Sequence, residues 1–143
     1  MEIKVNNFKT IENPKKNKFY KKNYTCVEPK YFNPVIDAME QVVVDGTGRG
    51  AQIDKVAVCG KTGTVENKNF NDHSVFIAFA PKEDPKIAIA VYVEYGTWGG
   101  TWAAPIASVL IEYYLNRKLG EMGLMKKEKI EQAIILNKNS DFT

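Results

Sequence analysis

The sequence predicts an α+β fold, an antiparallel β-sheet with helices packed on it. Three observations predict it: an apolar stripe at helical spacing after Asn33-Pro34, three short apolar segments at 55–59, 74–80 and 86–94, and a second helical stripe beginning near Trp102. Helix, three strands and helix in that order make a sheet with helices laid on it.

Each element follows from its residues. Residues 1–30 show only a short alternation (Ile3, Val5, then Phe8) amid polar filler and read as an extended or irregular basic lead-in. Asn33 and Pro34 supply an N-cap and a first-turn proline, and Phe32, Val35, Ile36, Met39, Val42 and Val43 recur on one helical face. The helix is expected to end at Asp45-Gly46, before the turn Thr47-Gly48-Arg49-Gly50. In 86–94, Ile87, Ile89, Val91 and Val93 share one face while Ala88, Ala90 and Tyr92 share the other, so both faces are expected to be covered and the strand to be central. The link Pro81-Lys82-Glu83-Asp84-Pro85 is short and turn-rich, which predicts an antiparallel hairpin between 74–80 and 86–94. Thr101 can cap the second long helix, with Pro105 in its first turn and Trp102, Ile106, Val109, Leu110, Tyr113 and Tyr114 as its apolar stripe. A third helix is expected around 126–136, within a helical tail spanning 121–143.

Composition narrows the function classes. With 44% hydrophobic and 26% charged residues in 143, the chain has the make-up of one globular domain, which excludes a disordered or collagen-like chain and a disulfide scaffold. No apolar run approaches the roughly 18–20 residues of a membrane span, and no export signal opens the chain. The net charge of +3 is uneven, because residues 1–30 carry eight lysines against three glutamates and the remainder is slightly acidic. Those lysines stand beside Asn and Pro without any nucleic-acid motif, so they read as a solvated loop and no nucleic-acid partner is expected. Cys26 and Cys59 lack metal-ligand spacing, and Cys59 lies in the apolar run Val56-Ala57-Val58, where a buried thiol is expected. His73 is the single histidine, so no His-rich metal site is available, and no cofactor is expected.

The sharpest local signal is Cys59-Gly60-Lys61-Thr62-Gly63-Thr64. Two chemistries use a Gly-Lys-Thr string. A P-loop needs a glycine separated by four residues from the Gly-Lys pair, where this chain has Lys55, and a helix immediately afterwards, where it has Val65-Glu66-Asn67-Lys68-Asn69. Gly46-Thr47-Gly48-Arg49-Gly50-Ala51 loosely matches a dinucleotide fingerprint but follows a helix pattern and precedes none. The other chemistry is a Lys-Thr-Gly on a strand edge lining an acyl-transfer cleft. Side chains alternate along a strand, so Lys61 and Gly63 share one face and Thr62 and Thr64 the other.

Context favours the second chemistry. In order, the chain carries Tyr31-Phe32-Asn33-Pro34-Val35-Ile36-Asp37-Ala38-Met39, the turn Asp45-Gly46-Thr47-Gly48, the Val56–Thr64 string just quoted, Asp72-His73-Ser74 leading into Phe76-Ile77-Ala78-Phe79-Ala80-Pro81, the 87–94 strand and Ala103-Ala104-Pro105. From about Tyr31 to Tyr114 this set resembles the C-terminal part of the transpeptidase domain of class B penicillin-binding proteins, most closely the penicillin-binding protein 2 type. The resemblance implies a partial serine β-lactamase/penicillin-binding transpeptidase-like fold for 31–120. It also implies a periplasmic enzyme at the bacterial inner membrane, anchored through a segment outside this chain. Such an enzyme cross-links peptidoglycan stem peptides through a serine acyl-enzyme, binds β-lactams and works with other cell-wall synthesis proteins. By the same resemblance Lys61 is catalytic, supplying positive potential, and the Thr64 backbone amide supplies half of the oxyanion hole. Thr62, Gly63 and Thr64 would contact the substrate, with Trp98 as a wall and Trp102 as core.

Asp72 and His73 are possible support, although a brace at the start of the strand explains them better than an acid–imidazole pair. The nucleophile is missing from these residues. Ser74, Ser108 and Ser140 are followed three positions on by Ile77, Ile111 and Thr143, so no Ser-x-x-Lys exists, and there is no Ser-x-Asn. The chain is therefore expected to be inactive alone, as the Lys-Thr-Gly part of a larger enzyme. A fragment of a related serine β-lactamase or penicillin sensor, and a P-loop-like nucleotide-binding domain, are the alternatives.

Overall fold

The structure is a computed structural model that describes residues 26–133. The expected alternation at Ile3, Val5 and Phe8, and the end of the expected third helix, lie outside those residues.

A 3-10 turn at Pro29–Tyr31 leads into α1, Phe32–Val44. Asn33 does not cap it. The entering amides are satisfied by backbone instead, Tyr31 N donating to Glu28 O at 3.0 Å and Phe32 N to Pro29 O, so the helix starts two residues earlier than the Asn-Pro pair suggests. At the other end Gln52 Nε2 donates to Val43 O and Val44 O at 3.1 and 2.8 Å, capping two carbonyls that the helix leaves open. Only Val43 of α1 is fully buried, while Phe32 and Val35 remain exposed.

The first strand departs most from expectation. Residues 55–59 are not a strand: Ile53 and Val56 form an isolated bridge around Lys55, which sits at φ 58°. The apolar run there reports burial, since Ile53 and Val58 belong to the core, and pairing begins only where β2 offers partners. β1 is Cys59–Val65, β2 is His73–Ala80 and β3 is Ile87–Val93, joined as the antiparallel sheet β1-β2-β3. The expected β2–β3 hairpin forms, with Phe76 opposite Val91. β3 is nevertheless an edge strand among the described residues, and Ala88, Ala90 and Tyr92 are exposed. Alternation identifies which residues share a face; it does not show that a neighbour covers the second face.

Ser74, Phe76, Ala78 and Ala80 share one sheet face with Gly60, Thr62 and Thr64 on one side and Ile87, Ile89, Val91 and Val93 on the other. α2, Ala103–Asn116, crosses that face and buries Ala103, Ala104, Ala107 and Ile111 against Phe76. Three alanines bring helix and sheet close, and burying the Phe and Ile side chains contributes about 1.5–3 kcal/mol each. Thr101 does not cap α2. Ala103 N donates to Ser74 Oγ at 3.1 Å and Ala104 N to Gly99 O at 3.1 Å, so a strand and a loop supply the cap.

α3, Glu121–Glu131, begins five residues before the expected 126. It packs on α2 where Gly123 meets the buried Glu112 carboxylate, which also accepts Gly120 N at 3.0 Å. On the opposite side Lys82 Nζ reaches Asp37 Oδ1 and Glu40 Oε2, both at 2.7 Å, tying the β2–β3 turn to α1.

Candidate functional site

Lys61, Thr62, Gly63 and Thr64 lie within β1, opposite Ile77, Phe76, Val75 and Ser74 respectively. The alternation expected for the motif holds, with Thr62 and Thr64 on the Phe76 side. Gly-Lys-Thr therefore occupies a strand, and the next element is β2 rather than a helix, which removes the geometry a P-loop needs. Among the described residues β1 pairs only with β2, so its outer edge is open.

Lys61 is exposed, and its ammonium folds back along the strand to donate to Thr62 O at 2.6 Å. The Thr62 hydroxyl is half-buried and lies 2.7 Å from Thr47 Oγ1, in the turn after α1. Either oxygen can donate, and the contact fixes where the Thr62 hydroxyl sits. Sequence reasoning treated 47–50 as a turn alone and missed this partner; the only available signal was its place in the ordered motif set.

The loop at 96–100 lies against the same stretch of strand. A Cβ on Gly99 would sit 2.4 Å from Val75 O and 2.6 Å from Gly63 O, so the loop backbone rests directly on the β1–β2 backbone. Beyond it, buried Ser74, the partner of Thr64, donates from Oγ to Trp98 O at 2.9 Å and accepts Ala103 N. One hydroxyl thus joins the motif's end, the loop and α2. Ser74 was read only as the residue after Asp72-His73, because its partners are distant in sequence.

Asp72 and His73 brace this corner. Asp72 Oδ1 accepts Asn67 N at 3.0 Å, and its carbonyl accepts Thr97 N at 2.8 Å. His73 Nδ1 accepts Tyr95 N at 3.1 Å, and the ring packs against Tyr92 and Tyr95 at centroid distances of 5.3 and 5.4 Å. Tyr95 sits at φ 57°, so that hydrogen bond holds a left-handed turn in place. Asn67 Nδ2 lies 3.4 Å from Nε2. Neither ring nitrogen is directed at Asp72.

Trp98 is 71% exposed and Phe70 61%, and both line an open depression of about 490 Å³ with Asn71, Asp72, Thr97 and Thr101. Trp102 is half-buried and is absent from the set of core side chains, which corrects its reading as core. Cys59 is fully buried as expected. Burial pushes its thiol above the ordinary value, and the nearby Glu40 carboxylate adds to the effect. Cys26 is exposed, and neither cysteine is in a disulfide. Among the described residues no group of three His, Cys, Asp or Glu side chains could hold a metal ion, and no helix is long and apolar enough to cross a membrane.

Residues 4–112 match the family described as the penicillin binding protein transpeptidase domain. The chain is 38% identical over 94 residues to the peptidoglycan D,D-transpeptidase MrdA of Acinetobacter baumannii, a match covering 55% of this chain and 14% of the relative. Among solved structures it is similar to PBP2 of Pseudomonas aeruginosa, with 31% identity, a TM-score of 0.60 and coverage of 70% of this chain and 23% of that one. It is also similar to penicillin-binding protein A of Mycobacterium tuberculosis, in a structure described as an imipenem acyl-enzyme complex, with 35% identity, a TM-score of 0.57 and coverage of 66% and 21%. The matched region thus spans about a seventh of the length of the Acinetobacter relative.

Proposed function

This chain belongs to the penicillin-binding protein transpeptidase domain family, and from that premise we propose that it supplies the Lys-Thr-Gly wall of a serine-type peptidoglycan D,D-transpeptidase. The observation that carries the proposal is β1 itself: Lys61-Thr62-Gly63-Thr64 runs along an open strand edge, held between the Thr47 turn and the 96–100 loop.

In the proposed reaction, a serine Oγ from a Ser-x-x-Lys segment attacks the carbonyl of a D-alanyl-D-alanine stem peptide. D-alanine leaves with a proton on its amine, and the acyl group stays on the serine as an ester. An amine of a second stem peptide then attacks that ester, forming the cross-link and returning the proton to the serine. β-Lactams acylate the same oxygen. Lys61 supplies fixed positive charge beside the reacting groups, and the Thr64 amide is one of two donors to the developing oxyanion. Thr62, oriented by Thr47, binds the terminal carboxylate together with Thr64. Gly63 lets the substrate backbone approach, and Trp98 walls the cleft. Asp72 and His73 act at one remove by holding the loop that carries Trp98. The enzyme would work at the periplasmic face of the inner membrane with other cell-wall synthesis proteins.

Covalent labelling by a fluorescent penicillin tests this reading. The 143-residue chain alone takes no label. The same residues within a protein that carries Ser-x-x-Lys and Ser-x-Asn take label at that serine, and Lys61→Ala slows acylation about 10²-fold. A mapped covalent adduct on Ser74, Ser108 or Ser140 of the isolated chain overturns it.

A further inference from the structure

The turn that leaves β3 is held against its own strain. Tyr95 and Thr97 are both left-handed, at φ 57° and 60°, a conformation that residues with side chains rarely adopt. Each is tied by its amide to the start of β2, Thr97 N donating to Asp72 O at 2.8 Å and Tyr95 N to His73 Nδ1 at 3.1 Å. The two ties differ in kind. A backbone carbonyl accepts at any pH, whereas a ring nitrogen accepts only while it carries no proton. Histidine is the side chain whose charge ordinarily changes between about pH 5 and 8, and His73 is the single one in the chain.

The direction of the effect follows from the geometry. A ring that accepts from Tyr95 carries its proton on Nε2, where the Asn67 side-chain amide, at 3.4 Å, can meet it with its oxygen after a half-turn. A second proton, on Nδ1, would set one N–H against another at Tyr95, and the tie is lost. Tyr92 and Tyr95 pack on the ring. The charged groups on the surrounding elements are Glu94, which follows Val93 on β3, and Glu66, Lys68 and Asp72 in the β1–β2 connection. Carboxylates, lysines and tyrosines ordinarily change charge outside the histidine window.

We propose that His73 is a pH-operated latch on the loop after β3: the neutral ring holds the left-handed Tyr95 turn, and the imidazolium releases it. Further along, Ser74 Oγ still donates to Trp98 O and Gly99 still rests on the Gly63 backbone, so the released stretch is 95–97.

Nuclear magnetic resonance of the ¹⁵N-labelled 143-residue chain between pH 8 and 5 tests the latch. At pH 8 the ring nitrogens should report a proton on Nε2 and none on Nδ1. As the ring gains its second proton, the Tyr95 amide should shift with the same midpoint, and its protection from solvent exchange, corrected for pH, should fall about five-fold, the equivalent of one hydrogen bond. His73→Asn, whose side-chain oxygen accepts at every pH in this range, should keep Tyr95 protected throughout. His73→Phe, which has no acceptor, should leave it unprotected at both ends. A proton on Nδ1 at pH 8, or a Tyr95 amide that stays in place while the ring titrates, overturns the latch, and both are read on the parent chain alone. A pH-dependent loss of Tyr95 protection that persists in His73→Phe overturns it as well.

Discussion

Gly99→Ala should destabilise the chain although the added group is one methyl. Gly99 has no left-handed φ, so alanine is conformationally acceptable, and the whole effect lies in space. The new Cβ would sit 2.4 Å from Val75 O, 2.6 Å from Gly63 O and 3.0 Å from Gly63 N, all backbone atoms of paired strands that cannot rotate aside. Reaching ordinary contact means lifting the loop by about 1 Å. A shift of that size carries the 2.9 Å bond from Ser74 Oγ to Trp98 O out of range and strains the Ala104 N bond to Gly99 O. Overpacking costs about 1–3 kcal/mol and one lost hydrogen bond about 1 kcal/mol. The stiffer unfolded chain returns about 0.4–1 kcal/mol. The balance is a loss of about 1–3 kcal/mol, or roughly 3–10 °C in Tm for a chain of this size. Thermal unfolding followed by far-ultraviolet circular dichroism measures it. Gly63→Ala is the matched control, because its Cβ meets only Val75 Cβ at 3.4 Å and Val75 Cγ1 at 3.8 Å. It should melt within a few degrees of the parent chain. A Gly99→Ala chain melting with the parent, or a Gly63→Ala chain melting as low as Gly99→Ala, refutes the packing argument.

The other expectations concern the far side of the fold. Gly123→Ala would place a methyl 2.0 Å from the buried Glu112 Oε2, so α3 should lift from α2, raising amide exchange across 121–131 while the sheet stays protected. Cys26 should react at once with a disulfide reagent and Cys59 only on unfolding. Because burial raises the Cys59 thiol, its contribution to stability is complete below the ordinary value of 9.0 and fades as pH rises past it, a fade that Cys59→Ala should remove from the pH–stability profile. Hydrogen bonds that the Lys82 ammonium donates to the Asp37 and Glu40 carboxylates raise it above its ordinary value of 10.5. Its stabilisation is therefore present throughout neutral pH and is lost only in strong alkali, so Lys82→Met should lower Tm at pH 7 and narrow its gap from the parent above pH 11. An unchanged Tm at pH 7 counts against a structural role for that ion pair.

What was legible in the sequence was whatever one residue's periodicity can report. β2 and β3 alternate, α1 has its helical stripe, and the Lys-Thr-Gly string lies in a strand, so the sheet and its helices could be read directly. The failures that bear on the site concern pairing. The run at 55–59 is apolar because Val58 is core, yet hydrogen-bonded pairing starts only at Cys59, opposite Phe79. Ala88 and Ala90 looked like the covered side of a central strand, but small residues are compatible with an open face as well. The capping of α2 by Ser74, 29 residues away, and the meeting of Thr47 with Thr62, 15 residues away, have no local signature. These pairings are the ones that set the geometry of the candidate site.

The glycines around β1 sharpen what the motif is for. Gly60 is demanded by the fold, since a Cβ there would meet Phe76 Cζ at 2.3 Å in the centre of the core. Gly99 is demanded as well, by the strand backbone beneath it. Gly63 differs: within the described residues its missing side chain leaves ordinary van der Waals room, and a strand interior ordinarily gains by having alanine in place of glycine. Packing therefore explains two of the three, while the glycine inside Lys-Thr-Gly costs stability with no return inside the described fold. A position that local packing would fill is kept empty on an open strand edge, beside an exposed lysine and a threonine oriented by Thr47. That is the pattern expected where another backbone must lie against the strand, and it supports placing the stem peptide along β1.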